Sequence, residues 1–297
     1  MSLSINSLRA GVCLQMVASA LIFIAATDSH AVATLVHRYS FNGNVDDSVG
    51  GADGTLVNGL NGGATPATYS GGQLSLNNPG NIGSGTGNGN HVDLPTGMIS
   101  ALTDATFEAW VQWDGGYAWQ RIFDFGGGPA EYIFATPSSG FGGNPSIFEF
   151  REPAVTTGDD KVRLLDAQLP IGSISHIVGV IDTANDQARY YVDGNLNAVA
   201  GLQGFSLTNV NDVQNWLGRS QWAADSYLNG SYDEFRIYSS ALTDDDVIAS
   251  FDAGPDTLVG QVPEPATVSL CVLGGLALLR RTRRPSSLAL RSRTITT

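Results

Sequence analysis

Residues 106–113 read Thr106-Phe-Glu-Ala-Trp-Val-Gln-Trp113, and their alternation decides the class of fold. Phe107, Ala109, Val111 and Trp113 share one parity; Thr106, Glu108, Trp110 and Gln112 share the other. Successive side chains of a strand point to opposite faces, so this stretch is a strand with one apolar and one mixed face.

Working outward, β-branched and aromatic runs bounded by Gly, Asn, Asp and Pro recur along the chain. They predict strands over 35–41, 73–76, 91–94, 106–113, 121–125 and 132–135, and again over 147–152, 162–166, 176–182, 188–192, 213–217 and 230–238. Short strands at this spacing, without long helices between them, argue for an antiparallel sandwich and against a parallel α/β fold. Asp193-Gly194 marks a tight hairpin, because a type I′ turn needs positive φ at both central residues. One helix is expected, with Thr243 as N-cap, Asp244, Asp245 and Asp246 in its first turn, and an end near Phe251. Residues 77–90, nearly all Gly, Asn and Ser, read as a flexible surface loop. No repeat of solenoid or propeller length is visible.

Composition narrows the function. The 297 residues include 36 Gly and carry a net charge of −13, which argues against attraction to nucleic acid phosphates. A hydrophobic share of 42% is enough for a sizeable core, and no apolar run is long enough for a polytopic membrane protein. The charge is unevenly placed: residues 34–262 hold 26 acidic and eight basic side chains, a net −18, while 263–297 carry a net +5. That asymmetry favours neutral glycans, or acidic ones bridged by calcium, over bare polyanions as partners.

Residues 1–33 have the layout of a secretory signal: Arg9, an apolar stretch over 12–26, and A-x-A-like sites favouring cleavage after Ala33, with Ala31 second. At the other end Pro263-Glu264-Pro265 precedes an apolar run over 266–279 and the arginines 280, 281, 283 and 284. As a helix that run spans about 21 Å, short of the roughly 30 Å hydrocarbon core, so alone it is a marginal anchor. Arg280 and Arg281 would stay on the cytoplasmic side. Order and spacing resemble the PEP-CTERM sorting signal of bacterial exported proteins, which implies handling by an exosortase-type membrane enzyme and transient membrane contact through the apolar helix. The basic tail 285–297 runs past the point where such signals usually stop. Cys13 and Cys271 both fall in these terminal segments, so the region between has no disulfide.

Within that region an ordered set of short motifs carries a second resemblance. It comprises His37-Arg-Tyr-Ser-Phe41 with Asp47-Ser48 and Asp53-Gly-Thr-Leu56, then Phe107-Glu-Ala-Trp-Val111 and Arg121-Ile-Phe-Asp-Phe-Gly126. His176-Ile-Val-Gly-Val180, Tyr191-Val-Asp-Gly194, Leu217-Gly-Arg-Ser220 and Asn229-Gly-Ser-Tyr-Asp-Glu-Phe-Arg-Ile-Tyr238 follow, with Ala241-Leu-Thr243 behind them. The set resembles a laminin-G-like domain of the concanavalin A-like lectin/glucanase superfamily over 34–255, with 256–262 as linker. The resemblance implies an all-β, two-sheet antiparallel jelly-roll sandwich. It also implies a structural calcium ion (Ca2+) shared by Asp47, or the adjacent Asp46, and Asp233.

No glycosidase-like E-x-D-x-x-E motif occurs. Glu149 and Glu152, the nearest pair, have a spacing that puts them on opposite faces of a regular strand, and they are expected to be exposed at its end. His37, His91 and His176 lack metal-site spacing, and no G-x-S-x-G elbow is present. Large flat side chains remain as binding candidates: Tyr117, Trp119 and Trp222 in loops, while Trp110 and Trp113 are expected to pack inside the sandwich. The expectation is an exported, non-enzymatic surface or matrix protein of a bacterial cell envelope that binds a glycan or another extracellular polymer. A divergent polysaccharide hydrolase or lyase and a purely structural scaffold are the alternatives.

Overall fold

The computed structural model describes residues 33–59, 64–153 and 160–259; the segments expected to be a secretory signal, a sorting signal and a basic tail lie outside the described residues. Two antiparallel sheets stack face to face in a jelly-roll-like sandwich. One contains β1 (Leu35–Tyr39), β3 (Thr68–Ser70), β4 (Gln73–Ser75) and β6 (Ala105–Trp113), with β11 (Ile174–Asp182), β12 (Gln187–Val192), β13 (Asn195–Gly201) and β15 (Gly230–Tyr238). Its order is β13-β12-β11-β6-β15-β4-β3, with β1 alongside β15. The other sheet contains β2 (Thr55–Val57), β5 (His91–Leu94), β7 (Phe123–Gly128) and β8 (Glu131–Thr136), with β9 (Ser146–Arg151), β10 (Lys161–Asp166) and β14 (Gln214–Leu217). Its order is β10-β9-β8-β7-β14-β5-β2.

The alternation in 106–113 is realised as read: Phe107, Ala109, Val111 and Trp113 enter the core between the sheets. Phe107 meets Phe123, Phe125 and Phe148 there, with ring centroids 5.4–6.5 Å apart. Gly179 in β11 has no side chain because a Cβ would sit 2.6 Å from the Phe148 ring. Trp113 belongs to this core, but Trp110 is buried on the opposite face, against His176 at 4.4 Å and below the Arg236 guanidinium at 4.5 Å. That face is covered by α1 (Asp244–Ala253), whose Phe251 stacks on His176. Thr243 caps α1 in a reciprocal box with Asp246.

All twelve expected strands are present, and the Asp193-Gly194 turn has positive φ at both residues. Three further strands, β2, β3 and β13, lie at sheet edges. Residues 77–90 depart only in part from the expected surface loop: Pro79, Gly80, Asn81 and residues 85–87 are exposed, while both ends are anchored inside. Asn78 donates to the carbonyls of Asn90 and Leu228, and Asn90 donates from its backbone to Asn78, with both asparagines fully buried. Their amides stand in for a sheet ladder, so two asparagines anchor a segment of loop composition in the interior. The chain also stays on the sandwich past 255: the Asp256 amide donates to Glu234, and the Thr257 carbonyl accepts from Arg236.

Candidate functional site

The outer face of the seven-stranded sheet is built by the parity opposite to its core residues. Ile133, Ala135, Phe148, Phe150, Val162 and Leu164 point inward. The alternate positions form a row in register, Asp93–Trp216–Asp124–Phe134–Glu149–Arg163, running across β5, β14, β7, β8, β9 and β10. A second row, two residues along, pairs Tyr132 with Arg151 and Arg151 with Lys161.

Over the β8–β10 end of these rows lies a groove of ≈ 430 Å³. Its aromatic walls are Trp119, Trp222, Phe141, Tyr132 and Phe134, and its polar groups come from Arg121, Glu149, Arg151, Lys161, Arg163 and Asp225. Trp222 meets Tyr132 and Phe134 edge-on at 4.8 and 5.9 Å, and Trp119 meets Phe141 edge-on at 5.1 Å. Trp119 has φ +64, a conformation costly for a bulky residue, and the turn is held by its amide donating to Ser138 and its carbonyl accepting from Arg121.

Arg121 organises the floor. It is only 2% exposed, donates to Asp124 at 3.2 Å and Asp225 at 2.8 Å, and lies against the Phe134, Trp222 and Trp119 rings. Burial pushes the Asp124 carboxyl up to about 7 against the opposing pull of Arg121 and the Gln221 amide. Burial also raises Asp225, opposed by Arg121 and Ser220. Glu149 accepts from the Tyr132 hydroxyl at 2.5 Å and from Arg163 Nε, so both its oxygens are engaged. Burial, followed by the charge of Glu149, drives the Tyr132 phenol far above its usual range.

Trp119 and Trp222, expected from sequence as ligand contacts, therefore share one groove. Tyr117, the third, is 52% exposed and is not among the groove's lining residues. Sequence reasoning missed Arg121, Tyr132, Phe134, Phe141, Glu149 and Arg163. The usable signal was the parity of Tyr132-x-Phe134, Glu149-x-Arg151 and Lys161-x-Arg163, each opposite to neighbouring apolar positions. Glu149 and Glu152 were expected to be exposed; both are buried, Glu149 in the floor and Glu152 accepting from Ser206 and Asn209.

The calcium candidates lie elsewhere. Asp47 Oδ1 accepts from the backbone amides of Arg38, Val49 and Gly50, and Oδ2 pairs with His37 Nδ1 and the Ala52 amide. Five partners exhaust the roughly four lone-pair positions of a carboxylate, so Asp47 in this arrangement does not fit a calcium ion. Asp46 Oδ2 accepts from Asn44, and Asp233, at a bulge of β15, accepts from Gln73. Among the described residues no group of three or more His, Cys, Asp or Glu is arranged to hold a metal.

The sandwich and its order of elements now meet a direct comparison. The family model for laminin-G-like domains of the Concanavalin A-like lectin/glucanases superfamily matches residues 86–248, more than half of the chain. The chain belongs to this superfamily. Its sandwich is similar to domain 4 of AbnA, a GH43 extracellular arabinanase from Geobacillus stearothermophilus, solved in complex with arabinotriose. The identity is 23% and the TM-score 0.56, over 73% of this chain and 98% of that one. It is also similar to the botulinum neurotoxin serotype G binding domain, at 14% identity and a TM-score of 0.52 over 73% of this chain and 50% of that one. Botulinum neurotoxin type C, described as entering cells through two ganglioside molecules, matches at 12% identity with a TM-score of 0.53, over 74% and 51% of the two chains. The chain spans about half the length of these two toxin chains. No curated protein matches it in sequence. At these identities the likenesses establish the fold of the superfamily member, and the groove has to speak for the site.

Proposed function

We propose that the chain is an exported bacterial surface or matrix protein whose groove binds a glycan without cleaving it. The observation that carries this reading is the pairing of aromatic walls, Trp119, Trp222 and Phe141, with a hydrogen-bonding floor in one concavity. Flat rings pack on the apolar faces of sugars while placed polar groups fix orientation. That a similar sandwich holds arabinotriose supports the reading.

The carboxylates argue against turnover. Glycoside hydrolysis needs one carboxyl to protonate the leaving oxygen and a second to attack or activate water. Glu149 is held by Tyr132 and Arg163, and Asp225 by Arg121 and Ser220. Asp124 is fully buried beneath Gln221, whose amide donates to it. Each acid is committed inside the protein.

Export through residues 1–33, handling of 263–284 by an exosortase-type enzyme and transient membrane contact through 266–279 belong to the same proposal. A glycan array probed with the full-length chain and with its Trp222→Ala variant tests the binding. Capture of at least one glycan, lost in the variant, is expected. Silence on every glycan would favour a scaffold role, and release of reducing ends from a polysaccharide panel would replace binding by catalysis.

A further inference from the structure

Three loops beside the groove carry no charge. Segments 115–120, 137–145 and 167–173 contain no Asp, Glu, Lys or Arg, in a domain with 26 acidic and eight basic side chains. The fold gathers them at one end of the sandwich. The Trp119 amide donates to the Ser138 carbonyl at 2.8 Å, the Leu169 amide to Pro137 at 3.1 Å and the Gly172 amide to Trp113 at 2.8 Å. Two glycines permit the approach: a Cβ on Gly140 would lie 2.8 Å from Trp119 Nε1, and one on Gly115, at φ +81, would lie 3.2 Å from the Ile171 side chain. The charges at the loop ends, Asp114 and Asp166, accept from Gln112 and Asn197.

The usual distribution of side chains is inverted here. Gln120, Ser138 and Ser139 are buried, leaving Asn144, Gln168 and Ser173 as the exposed polar side chains of the three loops. Ile171, 63% exposed, and Tyr117 are the two most exposed large apolar side chains among the described residues, and Phe141 and Ile174 are exposed beside them in the chain. An apolar patch held outward by its own backbone bonds marks a contact surface. Protein interfaces need about one hydrogen bond per 100–200 Å² and a polar rim, which these loops supply sparsely; a lipid surface needs neither. A tyrosine among aliphatic side chains suits the boundary between lipid and water. Net charge also decides the kind of lipid. A domain at −18 is repelled by anionic headgroups, and the uncharged end is where it can approach neutral ones. The apolar run 266–279, too short to anchor the chain alone, gains from a second lipid contact.

We propose that this end of the sandwich docks on a lipid surface of no net charge, with Tyr117, Ile171 and Ile174 entering its boundary. Trp119 and Phe141 belong both to the docking loops and to the walls of the groove, so docking would set the groove beside the surface. The proposal goes beyond the glycan-binding reading and stands without it.

Hydrogen–deuterium exchange of the full-length chain, with and without phosphatidylcholine vesicles, tests the assignment at the loops themselves. Exchange of the amides of 116–118 and 173 is expected to slow at least about threefold when vesicles are added. The double variant Tyr117→Ser/Ile171→Ser, at two exposed positions, should lose that slowing. Trp222→Ala, which alters the groove alone, should keep it. Failure to attach to the vesicles, attachment without slowing at these amides, or slowing that survives the double variant overturns the proposal. Loss of the slowing in Trp222→Ala would move the contact into the groove and overturns it too. Slowing that appears without vesicles as protein concentration rises would give the surface to a second copy of the chain instead.

Discussion

The Arg121 guanidinium lies 4.0 Å from the Phe134 ring centroid, stacked on an outward-facing side chain of β8 while its nitrogens reach Asp124 and Asp225. One cation thus ties a loop before β7, the β7 strand and the loop carrying Trp222 into a single floor. The same side chain that fixes the electrostatics of the groove also fixes the orientation of its aromatic walls.

Removing it should therefore be costly. Arg121→Met keeps the aliphatic stem but leaves Asp124 and Asp225 without their counter-charge, and breaking a buried pair from one side costs about 3–5 kcal/mol. The loss should be larger at pH 8 than at pH 5. Asp124 is raised to about 7, so at the lower pH it is already largely protonated and depends less on Arg121. Urea denaturation at the two pH values measures this; a deficit under about 1 kcal/mol at pH 8 would show that the ion pairs contribute little.

Exposure and site membership part company at Tyr117 and Trp222. Tyr117 is the more solvent-exposed ring, yet it stands outside the groove, while Trp222 is packed edge-on against two of its walls. Tyr117→Ala should leave affinity for a captured glycan within about twofold, whereas Trp222→Ala should cost at least about tenfold. The reverse ranking in a titration would move the binding surface to the loop around Tyr117.

How much of this could be read from sequence depends on how local the cause is. The twelve strands and α1 were legible because alternation, a Thr243 cap and an Asp193-Gly194 turn are contained within a few residues. Edge strands such as Thr55–Val57 and Thr68–Ser70 were not, since three residues with one covered face leave almost no periodic trace. The burial of Asn78 and Asn90 was invisible for a different reason: their partners include Leu228, contributed from far along the chain. The groove is an intermediate case. Trp119 and Trp222 stood out by residue type, but which charged strand residues share their face follows only from the register that aligns Phe134, Glu149 and Arg163.

Asp47 gives the first strand and its following loop an acid-sensitive joint. Burial alone would raise its carboxyl, but the Arg38 amide, His37 and the Gly50 and Val49 amides outweigh that and hold it down at about 2. A carboxyl depressed in the folded state contributes stability that is complete above its unfolded value, near 4, and is lost as pH falls towards 2. Asp47→Asn should be less stable at pH 7 by about 2 kcal/mol and should show a flatter loss between pH 4 and pH 2. Parallel stability curves for the two proteins across that interval would assign the acid limb to other groups.

The same saturation bears on metal. An ion at Asp47 would have to displace backbone donors that close the loop after β1, and the replaced amides of Arg38, Val49 and Gly50 would lose their acceptor. Each of these part-buried hydrogen bonds is worth about 0.5–1.5 kcal/mol, and their loss opposes the gain from binding. The expected outcome is that millimolar calcium leaves the melting temperature of the full-length chain unchanged and that a chelator does not lower it. A rise with calcium that disappears in Asp233→Asn would mean that the loop rearranges to release the Asp47 carboxylate, and would restore the ion shared by these two residues.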